Sequence, residues 1–326
     1  MAVYTRLGAE EMSAIIAAFN VGTLVSAKGI AEGVSNSNWL IETQETDSAP
    51  QRFILTVYEG RTDTADLPFF LDLLDHLAAR GCPVPRTMHD RDGASHRMHE
   101  GKALALIEFL PGVSVSDPTP GQTRAVGAAL AQIHLAATDF ASERANSMGP
   151  AAWQQLLGDC GPDGLESIHP ELARIVSREL AVLMTRWPAD LPRGVIHADL
   201  FPDNVLMLGE KVTGLIDFYF ACTDITAYDV AVTHAAWCFS ADGTRFLPAL
   251  SAALLEGYES VRPLSPQERN ALPLLARGAA MRFLATRAYD WLNTPDGALV
   301  TLKDPMAFAR RLEFYADPIN AAIFPA

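Results

Sequence analysis

The sequence predicts an α+β fold with two lobes, a small antiparallel-sheet N-terminal lobe and a larger, mainly helical C-terminal lobe. Strand-like segments alternate with turns before residue 110, and helical periodicity dominates most of the chain after it. The tripeptide Leu110-Pro111-Gly112 separates the two patterns, because proline and glycine both interrupt regular structure. We therefore predict two domains, residues 1–110 and 111–326, and 326 residues are enough for both to bury a core.

The N-terminal lobe is predicted to be an antiparallel sheet with a helix packed across it. Met12, Ile16 and Phe19 recur at helical spacing and predict an opening helix. Gly81 follows an amphipathic segment and is the kind of residue at which helices end. The predicted elements are helices over residues 9–19 and 67–80 and strands over residues 23–27, 38–43, 52–58, 86–89 and 103–109.

The C-terminal lobe is predicted to be helical apart from one strand-bearing segment at residues 195–217. The stretch G-D-C-G-P-D-G at residues 158–164 is predicted to be an exposed, mobile loop, because it combines glycine, proline and aspartate. The predicted helices cover residues 119–138, 169–186, 227–239, 245–261, 265–291 and 305–315.

Charge and cysteine content narrow the class of protein. A formal net charge of −14 argues against a nucleic-acid or anionic-membrane partner. No apolar run is long enough to cross a membrane, and the N-terminus has no signal-peptide pattern. The four cysteines are scattered without a CxxC motif, which predicts free thiols and a cytoplasmic location.

The most informative segment is V-I-H-A-D-L-F-P-D-N-V-L at residues 195–206, followed by G-L-I-D-F at residues 214–218. The spacing singles out Asp199, Asn204 and Asp217. Phosphoryl transfer needs a group facing the acceptor hydroxyl and oxygen ligands for a hard cation such as Mg²⁺. Asp199 fits the first role, and Asn204 with Asp217 fits the second.

The H-x-D-x-x-x-x-N pattern alone also arises by chance, since Asp and Asn are common in loops. The second match, with Asp217 at the expected distance beyond a hairpin, makes chance a poor explanation. His197 is expected to support the loop structurally. A zinc site is disfavoured, because no cysteine or second histidine lies nearby at ligand spacing.

These two segments resemble the aminoglycoside-phosphotransferase-like branch of the kinase superfold, and the chain is most similar to the bacterial homoserine kinases of that branch. Further matching stretches lie at residues 28–39, 53–59, 67–81 and 281–292. The resemblance implies a two-lobed protein-kinase-like fold. It also implies ATP-dependent phosphorylation of L-homoserine to O-phospho-L-homoserine in threonine biosynthesis, with ATP and Mg²⁺ as cofactors.

Carried over residue by residue, the resemblance makes Asp199 the catalytic base and Asn204 and Asp217 the Mg²⁺ ligands. Asp229 would support the catalytic loop together with His197. The turn at residues 29–37 and the linker after residue 104 would bind ATP. The residues implied there are Gly29, Gly33, Ser35 and Ser37 in the turn and Glu108 and Leu110 in the linker.

The chain departs from the kinase pattern in its predicted third strand. Thr56 occupies the position at which kinases of this superfold carry a phosphate-binding lysine, and threonine carries no charge. Lys28, Arg52 or Arg61 could supply a positive charge instead, and the sequence does not choose among them.

Homoserine is a zwitterion, so its site needs a cation for the carboxylate and an acidic or carbonyl group for the ammonium. Arg282 or Arg287, in a late helix with apolar surroundings, is predicted to receive the carboxylate. Asp203, Tyr219 and Trp237 are predicted to line the pocket.

Two other functions stay open at this stage. Another small-molecule kinase of the superfold would act on an aminoglycoside, choline, ethanolamine or a methylthio-sugar. A nucleotide-binding pseudokinase scaffold is supported only by Thr56. The expected partners are a small-molecule substrate and MgATP, and the sequence leaves the oligomeric state undetermined.

Overall fold

The computed structural model describes residues 5–30, 36–46, 48–59, 63–295 and 301–324. The chain divides into two compact units, Met1–Gly112 with Thr213–Tyr219 and Val113–Val212 with Phe220–Ala326. The predicted single boundary after residue 110 does not account for the segment Thr213–Tyr219, which lies far along the chain but belongs to the first unit. The roles assigned to the two lobes remain predictions.

The first unit contains a six-stranded antiparallel sheet in the order β1-β2-β3-β6-β4, with β5 also paired to β6. Two helices accompany it. The strands are β1 Thr23–Ile30, β2 Ser37–Gln44, β3 Gln51–Val57, β4 Thr87–Met88, β5 Arg97–His99 and β6 Lys102–Glu108, and the helices are α1 Ala9–Ile16 and α2 Leu67–Ala79.

Alternation along the strands gives this sheet two different faces. Ile41, Leu55 and Leu106 lie on the face that packs against Met12 and Ile16 of α1, and all five side chains are buried. The predicted antiparallel sheet is confirmed. The prediction did not include β5, whose three residues are too few to show a pattern.

The opposite face is half-buried and carries polar positions. Lys28, Leu40 and Ile54 are in register across β1, β2 and β3, and Asn38 and Thr56 form the neighbouring pair. Directly paired residues in antiparallel strands share a face, and so do residues two apart. Lys28 and Thr56 therefore lie on the same side of the sheet.

The second unit is mainly helical, as predicted, and two of its helices begin with capping boxes, at Thr119 and Ser265. Among the described residues no helix is long and apolar enough to cross a membrane. The helices are α3 Pro120–Ala136, α4 Pro150–Ile168, α5 Leu172–Arg186, α6 Thr226–Trp237, α7 Pro248–Glu259, α8 Pro266–Asn293 and α9 Met306–Ala316.

Helix α4 was not predicted: residues 158–164 belong to this helix and do not form a loop, although most of these residues are exposed, as expected. The helix is interrupted only at Gly161, with φ of 66° and ψ of 161°, directly before Pro162. Glycine tolerates that backbone conformation, and proline then restarts a helix as a first-turn residue. Trp153 and Cys160 are buried, so apolar anchors hold the segment in the unit.

Four short strands surround the sequence motif. β7 (Arg193–Ile196) pairs with β10 (Cys222–Ile225), and β8 (Val205–Leu208) pairs with β9 (Lys211–Leu215). The loop at residues 197–204 joins β7 to β8, as predicted. β10 lies beyond the predicted strand segment and was missed. It anchors the end of β7 that leads into the loop, because Cys222 pairs with Ile196.

Candidate active site

The 197–204 loop begins with an uncommon backbone conformation. Ala198 has φ of 64°, in the left-handed region that residues with a side chain rarely adopt. Its side chain is 1% exposed. Such conformations persist where the surroundings over-determine them and occur often at functional sites. The contacts that hold this peptide in place are therefore central to the geometry of the site.

Asp229 of α6 holds the loop backbone from one side. Its two carboxylate oxygens accept hydrogen bonds from the N–H groups of His197, at 2.6 Å, and Ala198, at 2.8 Å. The Asp229 side chain is fully buried. Hydrogen bonds to a carboxylate are stronger than neutral ones, and burial strengthens them further. This geometry suits the supporting role expected of Asp229.

A buried chain of polar groups leads away from Asp229. His134 of α3 contacts the Asp229 carboxylate at 3.1 Å through Nε2 and the Tyr258 hydroxyl at 2.8 Å through Nδ1. Arg262 donates to that hydroxyl at 3.1 Å and pairs with Glu268 at 2.7 Å. Burial alone would raise the pKa of Asp229, but hydrogen bonds and electrostatic interactions with His134 and His197 outweigh burial and lower this pKa.

Asp199 and Asn204 contact each other within the loop. The amide nitrogen of Asn204 donates to the Asp199 carbonyl at 2.8 Å and lies 3.3 Å from its carboxylate. The other side-chain atom of Asn204, the carbonyl Oδ1, has no hydrogen-bond partner among the described residues. The Asp199 side chain is 18% exposed, so solvent or a ligand can reach it. The pair offers a carboxylate and an amide oxygen, which are ligand types that Mg²⁺ accepts.

His197 is fully buried, and its Nδ1 accepts a hydrogen bond from the backbone N–H of Asp199 at 3.2 Å. This contact fits the structural role expected of His197.

Arg282 of α8 reaches the same loop, but it is buried and not open to substrate. Its side chain is 2% exposed, and a terminal guanidinium nitrogen donates to the carbonyl of Ala198. The other terminal nitrogen lies 4.0 Å from Asp199 Oδ1. The prediction that Arg282 receives the substrate carboxylate is not supported by this geometry.

Arg287, one helical turn further along α8, is more accessible. It donates to the Asp304 carbonyl at 3.2 Å and lies over the ring of Phe308 at 4.5 Å. Burial and the neighbouring Arg311 lower the pKa of Arg287 to about 10, and Asp199 and other carboxylates oppose this shift. Arg287 therefore stays charged at neutral pH and lies within electrostatic range of Asp199.

Of the two other predicted pocket residues in the second unit, Asp203 is exposed and Trp237 is buried. Asp203 is 64% exposed and lies 3.6 Å from Lys303 Nζ. Trp237 is 1% exposed, and its Nε1 donates to the Leu200 carbonyl at 2.9 Å. The prediction that Trp237 lines a pocket receives no support from this burial, because every residue of α6 is buried and the ring belongs to the core.

Asp217 and Tyr219 belong to the first unit. Asp217 follows β9 with φ of 66°, a second strained position at a predicted functional residue. The ring of Tyr219 packs edge-on against Tyr58, at 5.5 Å, and Phe70, at 5.9 Å. Burial and the adjacent Asp217 raise the pKa of Tyr219 to about 12, so its hydroxyl stays protonated at neutral pH.

The turn residues predicted to bind phosphate receive little support. Gly33 and Ser35 lie outside the described residues. Gly29 is paired with Trp39 in the sheet. Ser37 is buried, and its hydroxyl donates to Glu59 at 2.7 Å, so the prediction that this hydroxyl meets phosphate is not supported.

The predicted linker residues, Glu108 and Leu110, and Thr56 of β3 differ in their hydrogen bonding. The N–H of Glu108 donates to the Arg86 carbonyl at 2.9 Å, whereas that of Leu110 has no hydrogen-bond partner among the described residues. Thr56 is 2% exposed, and its hydroxyl donates to Asn38 Oδ1 at 2.8 Å. Thr56 therefore belongs to a neutral hydrogen-bonded pair.

Sequence reasoning missed His134 and Tyr258. Each lies on a helix with an otherwise ordinary core pattern, and a buried histidine or tyrosine has no spacing signal that distinguishes it. Asp229 was the only sequence indication that a polar group would be needed nearby.

Comparison with known proteins agrees with this geometry. The family model described as "Phosphotransferase enzyme family" matches residues 26–264. The homoserine kinase of Azorhizobium caulinodans is 51% identical, covering 97% of this chain and 96% of that protein. The homoserine kinase of Acidiphilium cryptum is 50% identical, covering 99% of both chains.

Solved structures share the fold at much lower identity. An amicoumacin kinase in complex with AMP-PNP, Ca²⁺ and amicoumacin gives a TM-score of 0.68 at 16% identity, covering 97% of this chain and 95% of that one. A spectinomycin phosphotransferase gives 0.68 at 14% identity, covering 97% of both chains. The predicted two-lobed kinase-like fold is confirmed. From its family-model match and its half-identical relatives, the chain belongs to the phosphotransferase enzyme family and, within it, to the homoserine kinases.

Proposed function

We propose that this chain transfers the γ-phosphoryl group of ATP to the side-chain hydroxyl of L-homoserine, giving O-phospho-L-homoserine for threonine biosynthesis. The observation that carries the proposal is 51% identity to a homoserine kinase along 97% of this chain. At this identity the match covers both units, including the segments that hold Asp199 and Asp217.

Asp199 is the proposed catalytic base. Its carboxylate is partly exposed on a loop whose backbone is fixed by buried groups, so it can accept the proton of a bound hydroxyl without reorganising. Precise placement matters more than basicity in phosphoryl transfer, because the protein contributes mainly positioning and charge.

Asn204 and Asp217 are the proposed metal ligands. The carbonyl oxygen of Asn204 lacks a hydrogen-bond partner among described residues, which fits an oxygen ligand awaiting a hard cation. A bound Mg²⁺ would neutralise charge on the phosphates. Use of a divalent cation has a parallel in the Ca²⁺ complex of the amicoumacin kinase, and Mg²⁺ itself is our proposal.

The nucleotide is proposed to bind the half-buried face of the sheet in the first unit. Leu40 and Ile54 supply an apolar surface there, and the N–H of Leu110 is available to adenine. Glu108 would contribute through its backbone carbonyl, since its N–H is already engaged.

Lys28 is the proposed replacement for the missing lysine. It lies on the same sheet face as Thr56 and has no ion-pair partner among the described residues. Arg52 is paired with Glu42 at 3.4 Å, and Arg61 lies outside the described residues. An unpaired ammonium can act as a point charge toward phosphate.

The homoserine carboxylate is proposed to pair with Arg287, which is charged, accessible and within electrostatic range of Asp199. Asp203, which is exposed, is the candidate for the substrate ammonium. Tyr219 remains a proposed pocket residue. A cytoplasmic location is also part of the proposal, since all four cysteines are free.

The proposal is tested by measuring ADP release with homoserine, serine, choline and kanamycin as acceptors. We expect homoserine to give the highest kcat/KM by a wide margin. Preference for choline or kanamycin would replace the proposed substrate, and turnover on none would favour a scaffold.

Replacing the base tests the chemistry separately. Asp199→Asn is expected to lower kcat by about 10²- to 10⁴-fold while ATP binding is retained. Asp163→Asn, at an exposed position of α4, is the matched control and should be neutral. Near-wild-type turnover of the Asp199 variant would remove Asp199 from the base role.

A further inference from the structure

We infer that Arg282 is a positioning residue for the proposed reaction: it holds the Ala198 carbonyl and so fixes the direction of Asp199. The inference rests on the proposed function and reassigns a residue that the sequence pointed to for substrate binding. It is carried by the contacts of Arg282 with the 197–204 loop and with two aromatic rings.

The burial of Arg282 excludes direct recognition of a substrate that enters from solvent. The side chain is 2% exposed, and the hydrogen bond to Ala198 occupies a terminal nitrogen. Its Nε is buried and has no hydrogen-bond partner within the part of the chain that the structure describes. A charge is costly to bury, so a buried guanidinium implies a strong compensating interaction. The backbone carbonyl of Ala198 supplies the hydrogen bond.

Two side chains of opposite charge hold the N–H and the carbonyl of Ala198, the residue with the left-handed backbone conformation. Asp229 accepts from the N–H of Ala198, and Arg282 donates to its carbonyl. Both side chains are buried, at 0% and 2% exposure, and they come from different helices, α6 and α8. Ala198 has φ of 64° and directly precedes Asp199. Rotation of this peptide would swing the Asp199 carboxylate, so the two charges together fix its direction.

The aromatic surroundings of Arg282 require a planar cation. Its guanidinium lies 5.1 Å from the ring centre of Phe220 and 4.6 Å from that of Phe283. Arginine stacks on aromatic faces and donates from several nitrogens at fixed angles, whereas lysine presents a single point charge. A lysine at this position would keep the charge but lose the planar set of donors that the guanidinium directs at Ala198 while it lies over the two rings.

The decisive experiment separates positioning from substrate binding through kcat and KM. Arg282→Ala is expected to lower kcat for homoserine by about 100-fold, the effect of misplacing a catalytic group by about 1 Å, with homoserine KM and ATP KM nearly unchanged. Guanidinium ion added at millimolar concentration should restore part of kcat by filling the vacated site. Arg287→Ala, the control on the same helix, should instead raise homoserine KM.

Several results would overturn the inference. A large rise in homoserine KM for Arg282→Ala, with kcat preserved, would return Arg282 to substrate binding. Wild-type kcat in this variant would show that the Ala198 contact is dispensable. Absence of homoserine turnover in the wild-type protein is a separate result and would refute the proposed function first.

A second variant covers the case in which Arg282→Ala does not fold. Arg282→Lys retains the buried charge, and folding is checked by circular dichroism and nucleotide binding. We expect reduced kcat with unchanged homoserine KM, because an ammonium lacks the fixed donor directions of the guanidinium. Full kcat in this folded variant would contradict the argument that a planar cation is required.

Discussion

The 197–204 loop and Thr56 of β3 differ in the kind of hydrogen bond that holds them. Charged side chains hold the loop, and a neutral amide holds the Thr56 hydroxyl. In the loop, buried charges hold the backbone, with Asp229 on the N–H groups and Arg282 on a carbonyl. At Thr56, the position at which the sequence comparison with kinases led us to expect a lysine, a neutral hydroxyl donates to a neutral amide of Asn38. The loop is held by buried charges, and the Thr56 position is held by a neutral hydrogen bond.

The difference indicates where this protein needs precision. A strained loop that presents the proposed catalytic carboxylate needs strong, directional contacts, and buried ionic hydrogen bonds supply them. Phosphate recognition needs only positive charge in reach, which a flexible lysine elsewhere on the same sheet face can provide. Breaking the loop contacts should therefore be more damaging than changing Thr56.

Of the variants that compare the two regions, Asp229→Asn is expected to have the largest effect on stability. The amide replaces a carboxylate that accepts from two backbone N–H groups and contacts His134. The buried network therefore loses the negative charge of Asp229. We expect the free energy of unfolding to fall by about 3 kcal/mol and kcat to fall at least tenfold. Urea denaturation and steady-state kinetics measure the two effects, with exposed Asp159→Asn as the control.

The same variant has a defined pH dependence. Because the folded-state pKa of Asp229 is lowered, its stabilising contribution is present above the unfolded pKa of about 4 and is lost as pH falls through the folded value. The stability gap between wild type and Asp229→Asn should therefore narrow in acid. A gap that stays constant from pH 7 to pH 3 would contradict this account.

An intermediate effect is expected for Lys28→Ala. This variant tests whether Lys28 supplies the positive charge on the sheet face that carries Thr56. Loss of one phosphate contact should raise the KM for ATP by about tenfold, corresponding to about 1.4 kcal/mol, with homoserine KM unchanged. Lys211→Ala, at an exposed position of β9, is the matched control. If the KM for ATP does not change, Arg52→Ala and Arg61→Ala are the next variants to compare.

The smallest effect is expected for Thr56→Val, which preserves shape and removes only the hydroxyl. The lost hydrogen bond to Asn38 should cost about 1 kcal/mol of unfolding free energy, with kcat within a factor of three. Thermal or urea unfolding measures the cost. A large loss of kcat would mean that the Thr56 hydroxyl itself contacts the nucleotide and that the two regions are more alike than proposed.

The helices that the sequence predicted well carry their signals in the local sequence. Helices α5 and α9 have apolar positions that recur at helical spacing, and α3 and α8 begin with a capping box followed by proline. The strands on both sides of the 197–204 loop are short apolar runs next to a motif of fixed spacing, so β7 and β8 could be placed.

The failures have a physical cause that a single sequence does not reveal. Trp237 lies on a helix buried on all sides, and no periodicity distinguishes a core face from a pocket face there. Arg282 reads as a substrate residue because arginine is rarely fully buried. Only the three-dimensional structure shows that its partner is the carbonyl of Ala198, 84 positions earlier. Gly161 and Pro162 suggested a loop where a single kink suffices.

The return of Thr213–Tyr219 to the first unit makes the protein a poor candidate for simple fragmentation. A fragment ending at Gly112 would lack the hydrogen bond from Leu215 to the Pro83 carbonyl and the Tyr219 ring beside Tyr58. Exchanging the first unit between relatives would therefore require three crossovers, after Gly112, Val212 and Tyr219, and a chimera with a single crossover after Gly112 would combine the sheet of one parent with the 213–219 segment of the other.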